Sequence, residues 1–369
     1  MKLLFLEPFY GGSHKDFADG ICRHSSHDID LYTLPARFWK WRMRGAALHF
    51  FRVVKDLSPY DALIGSDLMS LADFKALCQG TCPPAVAYFH ENQLSYPVAP
   101  GETRDAHFGF TDITTALAAD RVLFNSDTHC GHFFHHLPGM LRMMPDYRPS
   151  WVIEAIRSKT AVCYPGCQFP DEPPALISKP ERPPVIVWNH RWEFDKQPEV
   201  FFSALEKIAA QGIDFKLAVL GEANETVPGI FEAAKNRLGP KIAQYGYIKD
   251  KREYHRWLQA GSVVISTAIQ ENFGISIVEA VRFGCLPLVP NRLAYPEVIP
   301  VSAHAACLYD NFEELVAKLS RVLQSPRSFD CLRRELIEAM RPYAWQNRIA
   351  AFDREFERLR ENPLVPQKP

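Results

Sequence analysis

Ser262-Val263-Val264-Ile265-Ser266-Thr267-Ala268-Ile269-Gln270-Glu271-Asn272-Phe273-Gly274-Ile275-Ser276-Ile277-Val278-Glu279-Ala280 decides the fold. The branched apolar run at its start reads as a buried strand ending at Ser266 or Thr267. A polar loop follows, and an amphipathic helix begins near Gly274. The next apolar run, 285–289, reads as another strand. Strand, loop, helix and strand in that order make a βαβ unit of a parallel sheet. The same alternation extends outward in both directions. Strands are predicted at 185–190, 214–220 and 242–246 before this unit. A further set falls at 2–6, 29–34, 60–65, 85–89, 121–125 and 160–164, with helix-length stretches between.

Between the two sets lies Phe169 to Pro184, with prolines at 170, 173, 174, 180, 183 and 184. Proline donates no N–H and fixes φ, so this stretch is neither helix nor central strand and reads as a stiff linker. The expected organisation is an α/β protein of two Rossmann-like domains facing a cleft. They are 1–168, then the linker 169–184, then 185–343. A C-terminal helix lies in 344–369 and is expected to pack back on the first domain. The length of 369 residues agrees with two domains at roughly 150 residues each.

Composition narrows the function. Hydrophobic residues make up 47% and charged residues 23%, with a formal net charge of −1, so no bulk polyelectrolyte grip on nucleic acid is expected. No apolar run approaches about 18 residues, so no membrane insertion is expected. Met1-Lys2 leads into Leu3 to Leu6 and then Glu7, without a small-residue cleavage site, and this reads as a first strand rather than a signal peptide. Nine cysteines, an odd number in a long chain, point to a reducing, cytoplasmic location.

Open parallel sheets bind ligands at the carboxyl ends of their strands, and four such junctions carry polar chemistry. After the first strand comes Glu7-Pro8-Phe9-Tyr10-Gly11-Gly12-Ser13-His14. Gly11 and Gly12 allow close backbone approach to a ligand, and Ser13 is placed to cap the next helix. Neither the dinucleotide glycine spacing nor a Walker A segment is present. The second junction is His90-Glu91-Asn92-Gln93-Leu94-Ser95-Tyr96-Pro97, where His90 is a candidate to orient a hydroxyl. The third, Asn189 to Lys196, offers Arg191 and Lys196, two cations suited to a diphosphate. A surface ion-pair network with Glu193 and Asp195 is the alternative for these two. At the fourth, Glu271 and Glu279 are carboxylates able to take vicinal sugar hydroxyls, and the amides of Phe273, Gly274 and Ile275 are donors at a helix start.

On these residues the chain resembles the retaining glycosyltransferases of the two-Rossmann-domain (GT-B) type, specifically the glycogen-synthase-like group 4 family. The resemblance rests on the Glu-x7-Glu pair Glu271/Glu279, the Arg-x4-Lys pair Arg191/Lys196, the Gly11-Gly12 loop and His90, in the family's order. It departs at His190 and Gln197, where the family carries glycines. It implies that Arg191 and Lys196 take the donor diphosphate, Glu279 the ribose and Glu271 the hexose. Gly11, Gly12, Asn272, Phe273, Gly274 and Ile275 would complete the donor site, with no metal or other cofactor required.

Three stretches, 7–14, 90–97 and Ala118 to Ser126, are similar to one branch of that group, the mannosyltransferases of queuosine in tRNA. This implies GDP-mannose as donor and the queuosine cyclopentenediol of a tRNA anticodon as acceptor. Ser13, His14, Glu91, Asn92 and Gln93 would then lie on the acceptor side. A feature of the residues themselves fits an RNA acceptor. Arg37, Lys40, Arg42, Arg44, Arg52 and Lys55 meet no acid between Asp30 and Asp56, and Trp39 and Trp41 interleave with them. Cations for phosphate and aromatics for splayed bases are how single-stranded loops are held. An amphipathic helix with core tryptophans is the alternative. A lipid or glycan acceptor, or a non-catalytic sugar-nucleotide or RNA binder, remain rival functions. His132 and His136, four apart on a predicted helix, can share a face and hold a metal, and solvated histidines on that helix are the alternative.

Overall fold

The computed structural model describes residues 1–170, 183–222 and 228–361. The chain divides into two compact units, one formed by Met1–Gln168 together with Tyr343 onward, the other by Phe169–Pro342. Residues 171–182, most of the expected linker, lie outside the described residues.

In the first unit β1 (Lys2–Tyr10), β2 (Asp28–Pro35), β3 (Ala62–Ser66), β4 (Ala85–Phe89), β5 (Arg121–Phe124) and β6 (Thr160–Val162) form one parallel sheet ordered β2-β1-β3-β4-β5-β6. In the second, β7 (Val185–Trp188), β8 (Lys216–Val219), β9 (Ile242–Tyr245), β10 (Gly261–Ile265), β11 (Leu286–Pro290) and β12 (Leu308–Tyr309) are ordered β12-β11-β10-β7-β8-β9. Every strand expected from the sequence is present. β12 was not expected, since two residues at a sheet edge leave no periodic signal. β1 is longer than expected. Its pairing with β2 continues through Glu7–Thr33 and resumes at Tyr10–Pro35, so Glu7 to Tyr10 are strand rather than loop.

The central strands are apolar throughout because helices cover both sheet faces. One face of the first sheet packs under helix α2 (Trp39–Val53) and the helices Ala106–Ala118, Asp127–Arg142 and Trp151–Arg157, around Phe50, Phe89, Phe124 and Phe133. The other face holds α1 (Gly12–His24) and the C-terminal helix Trp345–Glu361 around Phe5, Phe17, Tyr88 and Phe352. Trp345 keys that helix into place. A Cβ at Gly20 or Gly166 would lie 2.0 or 2.2 Å from its ring, so only glycine admits it. Arg121 also forks onto Glu355 of the same helix. Among the described residues no helix is long and apolar enough to cross a membrane.

Candidate functional site

In each unit the strand order fixes where a ligand site forms. Chain order reverses between β7 and β10 in the second unit, so the loops leaving those strands diverge and open a crevice at their carboxyl ends. The 189–197 and 266–274 loops fill it. They are pinned together. Thr267 Oγ1 donates to the carbonyls of Lys196 (2.7 Å) and Gln197 (3.0 Å), and the Ile269 amide donates to Asp195 O (2.8 Å).

This brings Arg191, Lys196, Glu271 and Glu279 to one strand-end region. Lys196 is buried, and its Nζ donates to Gln270 O at 2.6 Å while facing Asp195 (3.2 Å) and Glu271 (3.5 Å). Burial alone would lower its pKa, but Glu271 and Asp195 hold it above the ordinary lysine value, so the ammonium stays charged. Arg191 is exposed and pairs with Glu193 at 3.2 Å. Both ion pairs weighed in the surface-network alternative therefore exist. The Lys196–Asp195 pair is nonetheless interior, with Asp195 fully buried.

Glu271 accepts the Gly274 amide at 3.1 Å. That corrects one expectation: the Gly274 amide is already taken by Glu271 and is not an open donor. Gly274 has φ +92 and caps the helix Ile275–Arg282, its carbonyl taking the Ile277 and Val278 amides at 2.9 and 3.0 Å. Asn272 and Phe273 are buried, whereas Ile275 is half-exposed. Glu279 accepts the Tyr254 hydroxyl at 3.2 Å, and Asn189 Nδ2 donates to Tyr254 Oη and to Ser276 O, each at 2.9 Å. Tyr254 and Asn189 orient the carboxylate, yet neither was singled out from the sequence. Asn189 stood in a quoted loop, but Tyr254 lies on the helix Lys251–Ala260 with no local motif.

The two departures from glycine have a structural account. Gln197 sits at φ +46, the left-handed conformation that glycine adopts easily, and the Thr267 hydroxyl bonds to its carbonyl there. His190 is buried against Ser276 Oγ (3.3 Å), and burial with Lys196 nearby lowers its pKa to about 3, leaving the ring neutral.

In the first unit the order reverses between β1 and β3, and the loops after β1, β3 and β4 meet there. Buried Glu7 Oε1 accepts the Phe9 amide (2.8 Å), His14 Nδ1 (3.3 Å) and the Ser66 hydroxyl (3.3 Å). Burial would lower the His14 pKa, but Glu7 raises it above the ordinary value. The His14 ring lies 3.9 Å from that of His90, whose own pKa is pushed well down by burial and then by His14. Glu7, His14 and His90 carry ligand atoms close enough together to consider an ion, a grouping not seen from the sequence.

Asp67 accepts the amides of His90 (3.2 Å) and Glu91 (3.1 Å), and Asp112 accepts that of Gln93 (2.6 Å). Asn92 is fully buried and accepts the Ser95 amide and hydroxyl, so it shapes this loop from inside. Gln93 Nε2 donates to Glu91 (3.0 Å).

Expectations for the first unit also change. Ser13 is exposed but does not cap α1, because the helix starts at Gly12 with Gly11 as its N-cap. Gly11 serves packing, since a Cβ there would lie 2.4 Å from Ala36 Cβ. The two tryptophans of α2 also separate. Trp39 packs on Phe108 (ring centroids 5.2 Å), beside Met43 and Leu68, while Trp41 is 76% exposed. Arg37 lies over the exposed Phe38 ring and Arg44 over Phe108, and Arg42 is tied to Pro35 O at 3.1 Å. Of the cations unopposed in sequence, Lys40 meets an acid in space, Glu102 at 3.9 Å. His132 and His136 lie on the helix Asp127–Arg142 as expected, and all nine cysteines are free thiols.

Two parallel doubly wound units, each with polar loops at its switch point, define the GT-B class of glycosyltransferases. Sucrose-phosphate synthase from Thermosynechococcus elongatus has this fold (TM-score 0.74, 15% identity, covering 98% of this chain and 100% of that one). So does Anabaena HepE, solved in complex with UDP (TM-score 0.69, 15% identity, 97% and 100%). The family model for glycosyl transferases group 1 matches residues 172–343, and that for the tRNA-queuosine alpha-mannosyltransferase N-terminal region matches residues 2–167. The tRNA-queuosine alpha-mannosyltransferase of Drosophila melanogaster is 35% identical over 346 residues, spanning 91% of this chain and 90% of its own. The chain belongs to the tRNA-queuosine alpha-mannosyltransferase family.

Proposed function

We propose that this enzyme transfers mannose from GDP-mannose to a cyclopentenediol hydroxyl of queuosine in a tRNA anticodon, with retention at the anomeric carbon. The observation that carries the donor half is the convergence of Arg191, Lys196, Glu271 and Glu279 at the β7/β10 switch point. Arg191 forks onto the diphosphate, and Lys196 supplies a buried point charge. Glu279, held by Tyr254, takes the ribose, and Glu271 takes the hexose. In the reaction the bond from mannose C1 to the phosphate oxygen breaks and a bond from C1 to the acceptor oxygen forms. The acceptor proton passes to the departing phosphate oxygen on the same face. Fixed cations aimed at the leaving diphosphate stabilise its growing charge, commonly the largest catalytic contribution. Paired cations meet that need without a metal. His90 orients the hydroxyl as a neutral imidazole.

The exposed cations and aromatics of α2 support tRNA as the acceptor. The test is incubation with labelled GDP-mannose or UDP-sugars and tRNA that either contains or lacks queuosine. Label entering only queuosine-containing tRNA, and only from GDP-mannose, is expected. Label entering neither tRNA would overturn the acceptor, and transfer from a UDP-sugar instead would overturn the donor.

A further inference from the structure

The function proposed above uses α2 and leaves a second exposed aromatic element of the first unit unexplained. Between the helices Asp127–Arg142 and Trp151–Arg157 the chain turns through Met143, Tyr147 and Trp151, which are 61%, 90% and 55% exposed. Tyr147 is the most exposed large apolar side chain among the described residues. The turn is nonetheless built. Pro145 and Pro149 stiffen it, Arg148 Nε donates to Met144 O at 3.1 Å, and the Ser150 amide donates to Arg148 O at 2.9 Å. Tyr147 has φ +45, a left-handed conformation unfavourable for a bulky residue. Only Phe38, Gln79, Gln197 and Leu293 share positive φ among the described non-glycine residues, and Phe38 is likewise an exposed ring, at the head of α2. Strain that holds an aromatic ring out into solvent points to a contact made there.

The turn and α2 belong to one layer. Both flanking helices and α2 pack on the same face of the first sheet. Trp39 of α2 meets Phe108, and Met140 Cε lies 2.6 Å from where a Cβ on the neighbouring Gly109 would be, so the three helices follow one another. Arg104 and His107, both exposed, lie on the middle segment. Within 142–151 the exposed charges are Arg142 and Arg148 against Asp146.

We propose that the 142–151 turn is a second RNA-contacting element. Tyr147 and Trp151 act as stacking platforms and Arg142 and Arg148 as phosphate contacts, gripping tRNA nucleotides away from the one being glycosylated. The inference rests on tRNA being the acceptor. RNA is favoured over a protein partner because the apolar groups stand singly beside cations. A protein-docking core is instead contiguous and depleted of charge. Single rings flanked by cations are how unpaired nucleotides are held.

The test measures binding of labelled tRNA to the full chain by anisotropy over a salt series, with melting temperatures as a check on folding. Replacing both rings (Tyr147→Ala with Trp151→Ala) should weaken binding by about 5- to 150-fold for each stacked base lost. KM for tRNA should rise in parallel, with kcat at saturating tRNA moving far less. Tyr147→Phe should keep binding, because the ring is retained. Arg142→Gln with Arg148→Gln should reduce the salt slope by about 1 to 2. Unchanged tRNA binding in the ring variants, while Trp41→Ala loses it, would overturn this inference and leave the proposed function standing. Unchanged tRNA binding with loss of self-association would make the turn a protein-docking face and also overturn it. Wild-type protein that neither binds nor modifies tRNA would instead refute the function itself.

Discussion

The polar loops of the second unit and the basic face of α2 both collect charge, but they hold it in opposite ways. Lys196 is enclosed by Gln270 O, Asp195 and Glu271, and Glu279 by Tyr254 and Asn189. On α2, Trp41 stands in solvent, and Lys40 lies over the Trp39 ring and loosely near Glu102. A small charged donor that must be fixed to a fraction of an ångström calls for preorganised partners. An RNA loop brings its own shape and needs accessible rings and mobile cations. The same residue types therefore sit deep in one region and exposed in the other.

That comparison is breakable at several points. The largest effect is expected from Lys196→Ala, which should lower kcat/KM by about 10²- to 10³-fold. Because Asp195 then stays buried without its partner, stability should also fall by about 3–5 kcal/mol in urea melts. Arg191→Ala, at an exposed position, should lose comparable activity with little change in stability. Turnover within a few-fold of wild type in both variants would remove the diphosphate assignment.

Next in size, Trp41→Ala should weaken tRNA binding by about 5- to 150-fold while stability stays within about 0.5 kcal/mol. Trp39→Ala should do the reverse, losing stability through its contact with Phe108. Equal behaviour of the two would erase the distinction between packed and presented rings. Tyr254→Phe removes one hydroxyl bond to Glu279 and should raise KM for the donor by about tenfold, near 1.4 kcal/mol. An unchanged KM would detach Glu279 from donor binding.

The smallest effect concerns pH. The folded-state pKa of His14 is raised because Glu7 outweighs burial. Its contribution to stability should be complete below about pH 6.5 and fade as pH rises through the folded value. The gap in melting temperature between wild type and His14→Gln should therefore narrow toward alkaline pH. A gap that widens there would reverse the assignment.

The loops proposed for the donor were the more legible in sequence because their residues follow short, fixed spacings at strand ends. Arg191, Lys196, Glu271 and Glu279 could be read from the chain, since sheet topology turns those spacings into proximity. Tyr254 could not, because its partner Glu279 belongs to another helix. On the acceptor side, charge and aromatic content were visible but orientation was not. Trp39 and Trp41 look alike in sequence, and only packing against Phe108 separates them. The Glu7–His14–His90 grouping joins a strand, a helix and a loop, and its closing member His90 is far from the other two in sequence. β12 was missed because two residues carry no period.

The return of the chain at Tyr343 has a consequence for how the protein is made. The second unit is continuous in sequence, so its sheet can close as soon as its last helix leaves the ribosome. The first unit is not. One face of its sheet waits for Trp345, Phe352 and Phe356, which are synthesised after the whole of the second unit. Until then Phe5, Phe17 and Tyr88 lack that cover, and the slot between Gly20 and Gly166 stays empty. The part of the enzyme translated first is thus completed last, and a chain cut short before Trp345 leaves its N-terminal unit unfinished.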